Sequence, residues 1–433
     1  MKINYKFVAL LVLLLCITNN IFSLNIEKEP LPNPFPSEEN LSSFEKITNI
    51  DLYDTLELDK IKVSLITITP GKPVYSWFGH SAIMVEQDDN ISIVYDYGIF
   101  NFSSENFVEN FMFGKMYYLL LPSEASVRFE QPIEDNRAIS KVELNIPNNK
   151  KLDIVNFLNY NAQKENRTYL YDFYLDNCAT RIRDILNWAS DGEFKEWATT
   201  QNSHYSYRYL SSNELSRSYF VNWVLNSFLG ENSDVDITLW ESMFLPEYLE
   251  SATIDFQEFN STQTIINETN STSTFNSFSR FKNHLILYTL IGLILGLLGL
   301  FFKVLKQDKE LPFFGIYNII INLFLFIISL VITFFVFYSN ITAAWNNENI
   351  FFLNPIIFIF PLILSILTLS KKEFSMHRVI LYEIFCSIYS FYLVVFIIIK
   401  NIIPETLIQD NYIIIVPLFL FYVLQGALLK TKN

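Results

Sequence analysis

The sequence predicts an α+β domain followed by an all-α membrane domain of five helices. Three observations lead to this prediction: a separation of charge along the chain, mixed strand and helix patterns in the charged part, and long apolar runs in the remainder. Residues 24–283 carry 38 acidic and 20 basic side chains, whereas residues 284–433 carry only 7 and 9. The first part is typical of an acidic soluble domain and the second of membrane helices.

The composition of the 433-residue chain excludes several classes of protein. A net charge of −14 excludes a basic chain that binds nucleic acid, and a hydrophobic content of 51% excludes a disordered chain. Three cysteines cannot form a disulfide scaffold, and no cluster of cysteines and histidines predicts a metal site. We therefore expect no nucleic-acid partner, no metal and no cofactor.

Residues 1–23 are typical of a signal peptide. Lys2 and Lys6 precede the apolar run Phe7–Ile17, and Ser23 is a small residue at a plausible cleavage point. An uncleaved anchor is the alternative. Residues 24–58 contain alternating prolines among acidic residues, which predicts an extended tether.

Residues 59–259 combine strand-like and helical patterns, and this mixture predicts one α+β domain. The strand-like segments are Lys62–Thr69, His80–Val85, Ile91–Tyr97 and Ser140–Ile146, and the helical segments are Asp153–Lys164 and Cys178–Ala189. Residues 260–283 are dominated at first by serine, threonine and asparagine without apolar periodicity, which predicts a flexible linker to the membrane domain, residues 284–433.

Five apolar runs in residues 284–433 are long enough to span a bilayer, at about 20 residues each. They lie near Leu285–Leu305, Phe313–Phe337, Ile350–Leu369, Val379–Ile399 and Tyr412–Leu429. Eight of the nine basic residues in this region follow the first, third or fifth run, and the ninth is Lys400. The positive-inside rule then places the C-terminus in the cytoplasm and residues 24–283 on the opposite, exported side.

Cys178 is the one cysteine expected in the mature exported domain, because Cys16 leaves with the signal peptide and Cys386 lies in the fourth apolar run. Asp176 and Asn177 are good N-cap residues, so a helix should begin at Cys178. The positive end of a helix lowers the pKa of a thiol and offers N–H groups to an oxyanion, which favours a nucleophile. The alternative is a buried cysteine that only packs.

A cysteine nucleophile needs a base, and His80 is the best candidate. The other histidines border the first apolar run, face the cytoplasm, or lie in a polar run that nothing links to the nucleophile. His80 opens a predicted strand, although a structural histidine is the alternative. Asp96, on the next strand, is favoured as the residue that orients the imidazole, and Asp176 is the alternative.

Four further residues are candidate substrate contacts: Trp77, Asn177, Arg181 and Asn354. Trp77 could enter the headgroup region of a membrane, or pack in the core. Arg181 could hold a lipid phosphate, or lie on a solvated helix face. Asn354 ends an amide-rich exported loop at the membrane edge that could bind a headgroup or another polar group of a substrate, or form a plain turn.

Several of these motifs together resemble one protein family. They are Phe78–Ala82, Val94–Phe100 and, most specifically, Asn166–Arg183, with further matches at Phe244–Pro246 and Asn354–Pro355. The family that they resemble is Lnb. The order of histidine and then cysteine also looks like the permuted papain-like fold of lecithin–retinol acyltransferases. The α+β domain is therefore expected to be papain-like.

The resemblance implies a lipoprotein N-acyltransferase of the inner (cytoplasmic) membrane, with residues 24–283 in the periplasm. The histidine and cysteine of the family correspond to His80 and Cys178, whereas Asp96 stands where asparagine is expected about as often. Cys178 would then carry an acyl chain as a thioester from a membrane phospholipid to the α-amine of a diacylated lipoprotein. Two alternatives stay open: a cysteine amidase or peptidase acting on cell-wall peptides, and a non-enzymatic membrane assembly factor.

Overall fold

The computed structural model describes residues 60–87, 91–100, 106–268, 280–304, 311–369 and 375–427. The described residues divide into two compact units. The α+β unit contains those up to residue 215 and those from 236 to 268, and the helical unit contains 216–235 and those from 280 onward. The predicted signal peptide and tether lie outside the described residues.

The α+β unit is built on an antiparallel sheet of seven strands, supplemented by a separate two-stranded ribbon. In chain order the strands are β1 (Ile61–Ile68), β2 (His80–Gln87), β3 (Ile91–Ile99), β4 (Tyr117–Glu124), β5 (Ile139–Leu144), β6 (Thr168–Leu170), β7 (Asn202–Ser206), β8 (Asp236–Thr238) and β9 (Thr262–Asn267). The order in the large sheet is β6-β4-β3-β2-β1-β5-β9, and β7 pairs with β8. All four strands predicted from alternation are present.

The helices that precede the membrane segments follow the same chain order. They are α1 (Phe107–Met112), α2 (Ala125–Glu134), α3 (Asn148–Asn161), α4 (Cys178–Ala189), α5 (Glu193–Thr199), α6 (Tyr207–Glu214), α7 (Tyr219–Phe228), α8 (Leu239–Ser242) and α9 (Pro246–Asp255). Of these, α7 belongs to the helical unit and the others to the α+β unit. Helix α4 has the predicted bounds.

Alternation along the central strands gives the large sheet two apolar faces. One face carries Leu65, Ile83 and Tyr95 and packs against α3, α4, α5 and α9. The other carries Ile66 and Met84 and packs against α2 through Phe129. Successive side chains of a strand point to opposite faces of the sheet. Helices therefore cover both faces of the central strands. The coarse prediction of an α+β domain with an antiparallel sheet is confirmed.

The interpretation of residues 260–283 as a linker is wrong at its start. Thr262–Asn267 form β9, which pairs antiparallel with β5 at the edge of the large sheet. The side chains of β9 are mostly exposed, so the sequence shows no apolar period there. Main-chain pairing holds the strand, together with side-chain hydrogen bonds from Gln263 and Asn267. Residues 269–279 of this predicted linker lie outside the described residues.

Five apolar helices follow: α10 (Arg280–Val304), α11 (Leu311–Tyr338), α12 (Pro355–Thr368), α13 (Ser375–Ile402) and α14 (Tyr412–Gln425). Among the described residues, α10, α11 and α13 are long and apolar enough to cross a membrane. Helices α12 and α14 have 14 residues each. At 1.5 Å per residue that is about 21 Å, short of the roughly 30 Å of a hydrocarbon core. Three of the five predicted spans are therefore confirmed by length, and the other two are not.

Residues 216–235 belong to the helical unit, although the sequence places them in the exported domain. The amide of Asn347 donates to the carbonyls of Ser227 and Phe228, both at 3.0 Å, and the amide of Gln409 donates to the carbonyl of Leu229 at 2.9 Å. Helix α7 is too short to resemble a span. Its assignment follows from these hydrogen bonds to main-chain carbonyls and from the packing of Trp223 and Phe228 against the apolar core of the helical unit.

Candidate active site

Cys178 is the first residue of α4, and the cap of this helix is built from the residues around it. The side-chain oxygen of Asn177 accepts from the N–H groups of Ala179 at 2.8 Å and Thr180 at 2.9 Å, and the hydroxyl of Thr180 accepts from the N–H of Asn177. This reciprocal capping box fixes the helix start. It also engages the N–H groups of Ala179 and Thr180, two of the groups at the helix start that the sequence analysis offered to an oxyanion.

His80 reaches Cys178 from the first position of β2, and the two side chains are hydrogen-bonded to each other. The Nε2 atom of His80 donates to Oδ1 of Asp96 on β3, so Nδ1 is the ring nitrogen that remains for the thiol. The other carboxylate oxygen of Asp96 accepts from Nε of Arg128 on α2. Cys178, His80, Asp96 and Arg128 therefore form one continuous chain of contacts.

The protonation of this chain follows from burial and from its neighbours. Burial alone raises the pKa of Cys178, but the charge and hydrogen bond of His80 and the main-chain N–H of Ser81 outweigh it, so the pKa lies below its usual value. Burial lowers the pKa of His80, yet Asp96 and Cys178 raise it more, to about 9. Both shifts therefore favour the form of the pair in which a thiolate lies beside an imidazolium, which is the reactive form of a cysteine.

Asp96 is the negatively charged residue that binds His80 on the side away from Cys178. Burial raises its pKa, whereas His80 and Arg128 lower it, with the net result below the usual value of an aspartate. Its side chain is nearly inaccessible, at 2% exposure. A carboxylate held ionised in this way fixes the ring orientation of His80 and stabilises its protonated form.

Two glycines allow the segments around the site to pack closely. Gly98 has φ +89°, and a β-carbon on it would lie 3.5 Å from Cβ of Cys178 and 3.9 Å from Cε1 of His80. Gly79 has φ +74°, and a β-carbon there would lie 3.1 Å from the carbonyl oxygen of Ile68. Both positions favour glycine through their backbone conformation, and Gly98 leaves room beside the nucleophile for a reacting group.

The segment Phe244–Pro246 supports both halves of the site. The amide of Asn177 donates to the carbonyl of Phe244 at 2.9 Å, directly before Cys178. Pro246 lies 3.6 Å from the position of a β-carbon on Gly79, directly before His80. This explains the presence of a motif far from both residues in the chain.

The structure gives other contacts to the four predicted substrate residues. The amide oxygen and the amide nitrogen of Asn177 both form hydrogen bonds within the α+β unit. Arg181 is buried and forms an ion pair with Asp176 at 2.7 Å. Trp77 is 8% exposed, and its indole N–H donates to the carbonyl of Lys72. In the helical unit, Asn354 caps α12 through Ile356. We retain none of the four as a substrate contact.

Asp176, the alternative orienting residue, is likewise engaged elsewhere, since its carboxylate pairs with Arg181. Arg128 is the member of the site that sequence reasoning missed. It lies in α2, a helix that the sequence analysis did not predict, and nothing in its local sequence distinguishes it from a surface arginine. Within the described residues, no group of three or more histidine, cysteine or acidic side chains is arranged to hold a metal ion.

Comparisons with known proteins relate part of the chain to a protein family. The family model of the Lnb N-terminal periplasmic domain matches residues 50–213, a range that includes His80, Asp96, Arg128 and Cys178. No curated protein and no solved structure matches the chain. Together with the three membrane-length helices, the match describes a membrane protein with a periplasmic segment. Residues 50–213 therefore correspond to an Lnb N-terminal periplasmic domain, which supports membership of the Lnb family.

Proposed function

We propose that the protein is a lipoprotein N-acyltransferase with Cys178 as nucleophile and His80 as base. The acyl donor is a membrane phospholipid, and the acceptor is a diacylated lipoprotein. The observation that carries the proposal is the hydrogen-bonded pair of Cys178 and His80, backed by Asp96, within an Lnb periplasmic domain. Such a pair performs acyl transfer through a covalent intermediate.

In the first half-reaction the sulfur of Cys178 attacks the carbonyl carbon of a phospholipid acyl ester. A C–S bond forms, and the electron pair of the carbonyl moves to its oxygen. When this oxyanion collapses, the ester C–O bond breaks, and the leaving alkoxide takes the proton of the His80 imidazolium. The products are an acyl-thioester on Cys178 and a lysophospholipid.

In the second half-reaction the α-amine of the lipoprotein's diacylglyceryl-cysteine attacks the thioester carbonyl. His80, now neutral, accepts the proton of the attacking nitrogen. A C–N bond forms and the C–S bond breaks, which returns the thiolate beside an imidazolium. The reaction needs no metal or redox cofactor, because every bond change is an acyl transfer.

An exposed aromatic rim on the α+β unit favours a lipid as the donor. Its rings contact one another in sequence, with centroids 4.3–6.1 Å apart. The members, in order of contact, are Tyr75, Phe100, Tyr118, Tyr171 and Phe173. Its ends are exposed, with Tyr75 at 64% and Phe173 at 40%, and they lie five positions before His80 and Cys178 respectively. Exposed apolar patches of this kind mark binding sites for apolar partners.

The arrangement also supports a permuted papain-like fold, in which histidine precedes cysteine in the chain. Helix α4 packs on the antiparallel sheet, and its first residue meets a histidine at the end of a central strand. We further propose an inner-membrane location with the α+β unit in the periplasm and the C-terminus in the cytoplasm, as the distribution of basic residues predicts. Confining donor and acceptor to one bilayer surface would raise their effective concentration at the site.

The amidase alternative uses the same pair of residues but leaves the membrane helices and the aromatic rim without a role. The assembly-factor alternative does not explain why the pKa of Cys178 is lowered. A cysteine that only packs in the interior has its pKa raised by burial. Both alternatives make different predictions in cells.

The test is mass spectrometry of the N-terminal peptide of an envelope lipoprotein. Cells that lack the protein should lose the amide-linked acyl chain, and the full-length wild-type chain should restore it. Cys178→Ser should not restore it, whereas Cys386→Ala, which removes the buried thiol of the helical unit, should. Intact lipopeptides with altered cell-wall peptides would favour the amidase, and rescue by Cys178→Ser would favour the assembly factor.

A further inference from the structure

We propose that Tyr169 is a further catalytic residue, whose phenolic O–H donates a hydrogen bond to the oxyanion formed when Cys178 attacks an acyl carbonyl. The inference deepens the proposed function, since it requires acyl transfer through Cys178. It rests on where the hydroxyl of Tyr169 lies, on its lack of a partner among the described residues, and on the engagement of most N–H groups at the start of α4.

The hydroxyl of Tyr169 lies beside the space that Gly98 leaves open. Tyr169 is the middle residue of β6, at the edge of the large sheet. A β-carbon on Gly98 would be 3.9 Å from this hydroxyl oxygen, 3.5 Å from Cβ of Cys178 and 3.9 Å from Cε1 of His80. One carbon-sized space therefore borders the nucleophile, the base and the phenol. A reacting carbonyl group that enters it would meet all three.

The ring of Tyr169 is held in place by its neighbours. It meets the ring of Tyr97 edge to face, with centroids 6.0 Å apart. The guanidinium of Arg181 lies over the Tyr169 ring, 4.0 Å from its centroid, and is itself paired with Asp176. The hydroxyl is therefore preorganised, as electrostatic stabilisation of a transition state requires.

Among the described residues, the hydroxyl of Tyr169 has no hydrogen-bond partner, although the residue is only 7% exposed. Buried polar groups are nearly always hydrogen-bonded, so an exception calls for an explanation. The neighbouring Tyr97 shows the usual arrangement, because its hydroxyl donates to the side chain of Asn161 at 2.7 Å. A donor that is kept without a partner beside a nucleophile is available to a transient acceptor.

The start of α4 cannot supply the full set of donors itself. The N–H groups of Ala179 and Thr180 are taken by Asn177, and that of Arg181 donates to the carbonyl of Asn177 at 3.1 Å. The positive end of the helix is therefore largely occupied by its own cap. An oxyanion at Cys178 needs a donor from another element, and Tyr169 provides one.

The protonation of Tyr169 suits this role. Burial raises its pKa well above its usual value of 10, the guanidinium of Arg181 opposes this effect, and the charge of the Cys178 thiolate adds to it. The phenol therefore keeps its proton throughout the range in which the Cys178–His80 pair is active. In the reaction it donates a hydrogen bond without giving up the proton, which stays with His80 until the alkoxide leaves.

The test compares Tyr169→Phe with Tyr97→Phe in the full-length protein, reconstituted into vesicles of phosphatidylethanolamine and phosphatidylglycerol. Two rates are measured: acylation of Cys178, by intact mass over time, and alkylation of Cys178 by iodoacetamide. Alkylation needs the thiolate but forms no oxyanion. We expect Tyr169→Phe to slow acylation by about 100-fold or more, as loss of one oxyanion donor does, and to leave alkylation unchanged. Tyr97→Phe should leave both rates near those of the wild type.

Each other outcome overturns the inference. Acylation of Tyr169→Phe at the wild-type rate would show that the phenol does not act, and a parallel fall in alkylation would show that it acts only through the Cys178–His80 pair. A melting temperature well below that of Tyr97→Phe would mean that the hydroxyl has a structural partner. An absence of adduct on the wild-type protein would instead overturn the proposed function, and this inference with it.

Discussion

Asp96 accepts a hydrogen bond from Nε2 of His80, and this bond decides which nitrogen of the ring faces the nucleophile. With Nε2 committed to a carboxylate, Nδ1 is the atom that exchanges a proton with Cys178. The ionised Asp96 also keeps the imidazole protonated to about pH 9. Asp96 therefore influences the thiol through His80, without touching it.

The first prediction concerns pH. The pKa of Cys178 is lowered and that of His80 is raised to about 9, so the thiolate–imidazolium pair exists between these two values. Alkylation by iodoacetamide should therefore rise with pH at pH values below the usual pKa of a thiol. Acylation should decline above about pH 9, where His80 loses the proton that the leaving alkoxide needs.

His80→Gln removes the positive neighbour, so burial should then raise the pKa of Cys178 and slow its alkylation at neutral pH. Rates measured from pH 5 to pH 10 on both proteins provide the check. Identical pH midpoints for the two proteins would contradict the account.

A second prediction concerns Arg128, which holds the carboxylate of Asp96 from the side opposite His80. Arg128→Gln should slow acylation by roughly tenfold, equivalent to about 1.4 kcal/mol in the barrier, because the carboxylate is no longer fixed. It should also raise the pKa of Asp96. As the pH is lowered, the variant should therefore lose activity at a higher pH than the wild type does. Lys141→Gln is the matched control, since it removes a cation from the Lys141–Glu86 pair on the same sheet. If acylation by the wild type and by Arg128→Gln declines at the same pH on acidification, the role assigned to Arg128 is refuted.

The third prediction uses a pair of glycines with nearly the same backbone conformation. Gly98 has φ +89° and borders the site, whereas Gly192 has φ +93° with nothing within 4 Å of a β-carbon. Alanine at either position should cost about 1–2 kcal/mol of stability, because the left-handed region is unfavourable for it. Only Gly98→Ala should abolish acylation, since its methyl group fills the space beside Cys178. Thermal unfolding and acylation of both variants test this, and an active Gly98→Ala would argue against a reaction space there.

A fourth prediction concerns a buried ion pair in the helical unit. Glu348 binds the ammonium group of Lys400 at 2.8 Å and the main-chain N–H of Gln409 at 2.7 Å. Glu348→Ala should lower the free energy of unfolding by roughly 3–5 kcal/mol, because it leaves a buried charge without its partner. Glu143→Ala, which breaks an exposed pair with Lys62 at 3.9 Å, should cost at most about 1 kcal/mol.

Thermal unfolding in detergent distinguishes the two cases. The double variant Glu348→Met with Lys400→Met should recover much of the loss, since no charge then stays buried. If Glu348→Ala unfolds at the temperature of the wild type, this pair does not stabilise the helical unit.

The sequence predicts the elements that carry the site better than those that surround it. The start of α4 follows from the N-cap residue Asn177 and the apolar face behind Cys178, and β2 and β3 follow from their alternation. These signals are local. Arg128 and Tyr169 lack any such local signal. Arg128 forms an ion pair with Asp96, and the hydroxyl of Tyr169 lies beside Gly98. Both arrangements join segments that are distant in the sequence.

The errors have a common cause. The sequence of β9 is typical of a polar linker because an exposed edge strand is held by main-chain pairing, which needs no apolar side chains. It shows residues 216–235 as part of the exported domain because their contacts with Asn347 and Gln409 involve main-chain carbonyls. Asn177 and Arg181 look available for substrate in the sequence, but folding engages both in contacts within the protein.

The most direct test of the central claim is the mass of the intact protein after incubation with phospholipid vesicles and no lipoprotein acceptor. The account predicts an adduct of one acyl chain that peptide mapping places on Cys178, that hydroxylamine removes, and that a diacylated lipopeptide discharges as an N-acylated product. Cys386→Ala should form the adduct and Cys178→Ser should not. A wild-type protein that N-acylates the lipopeptide without ever carrying an acyl chain on Cys178 would contradict the account.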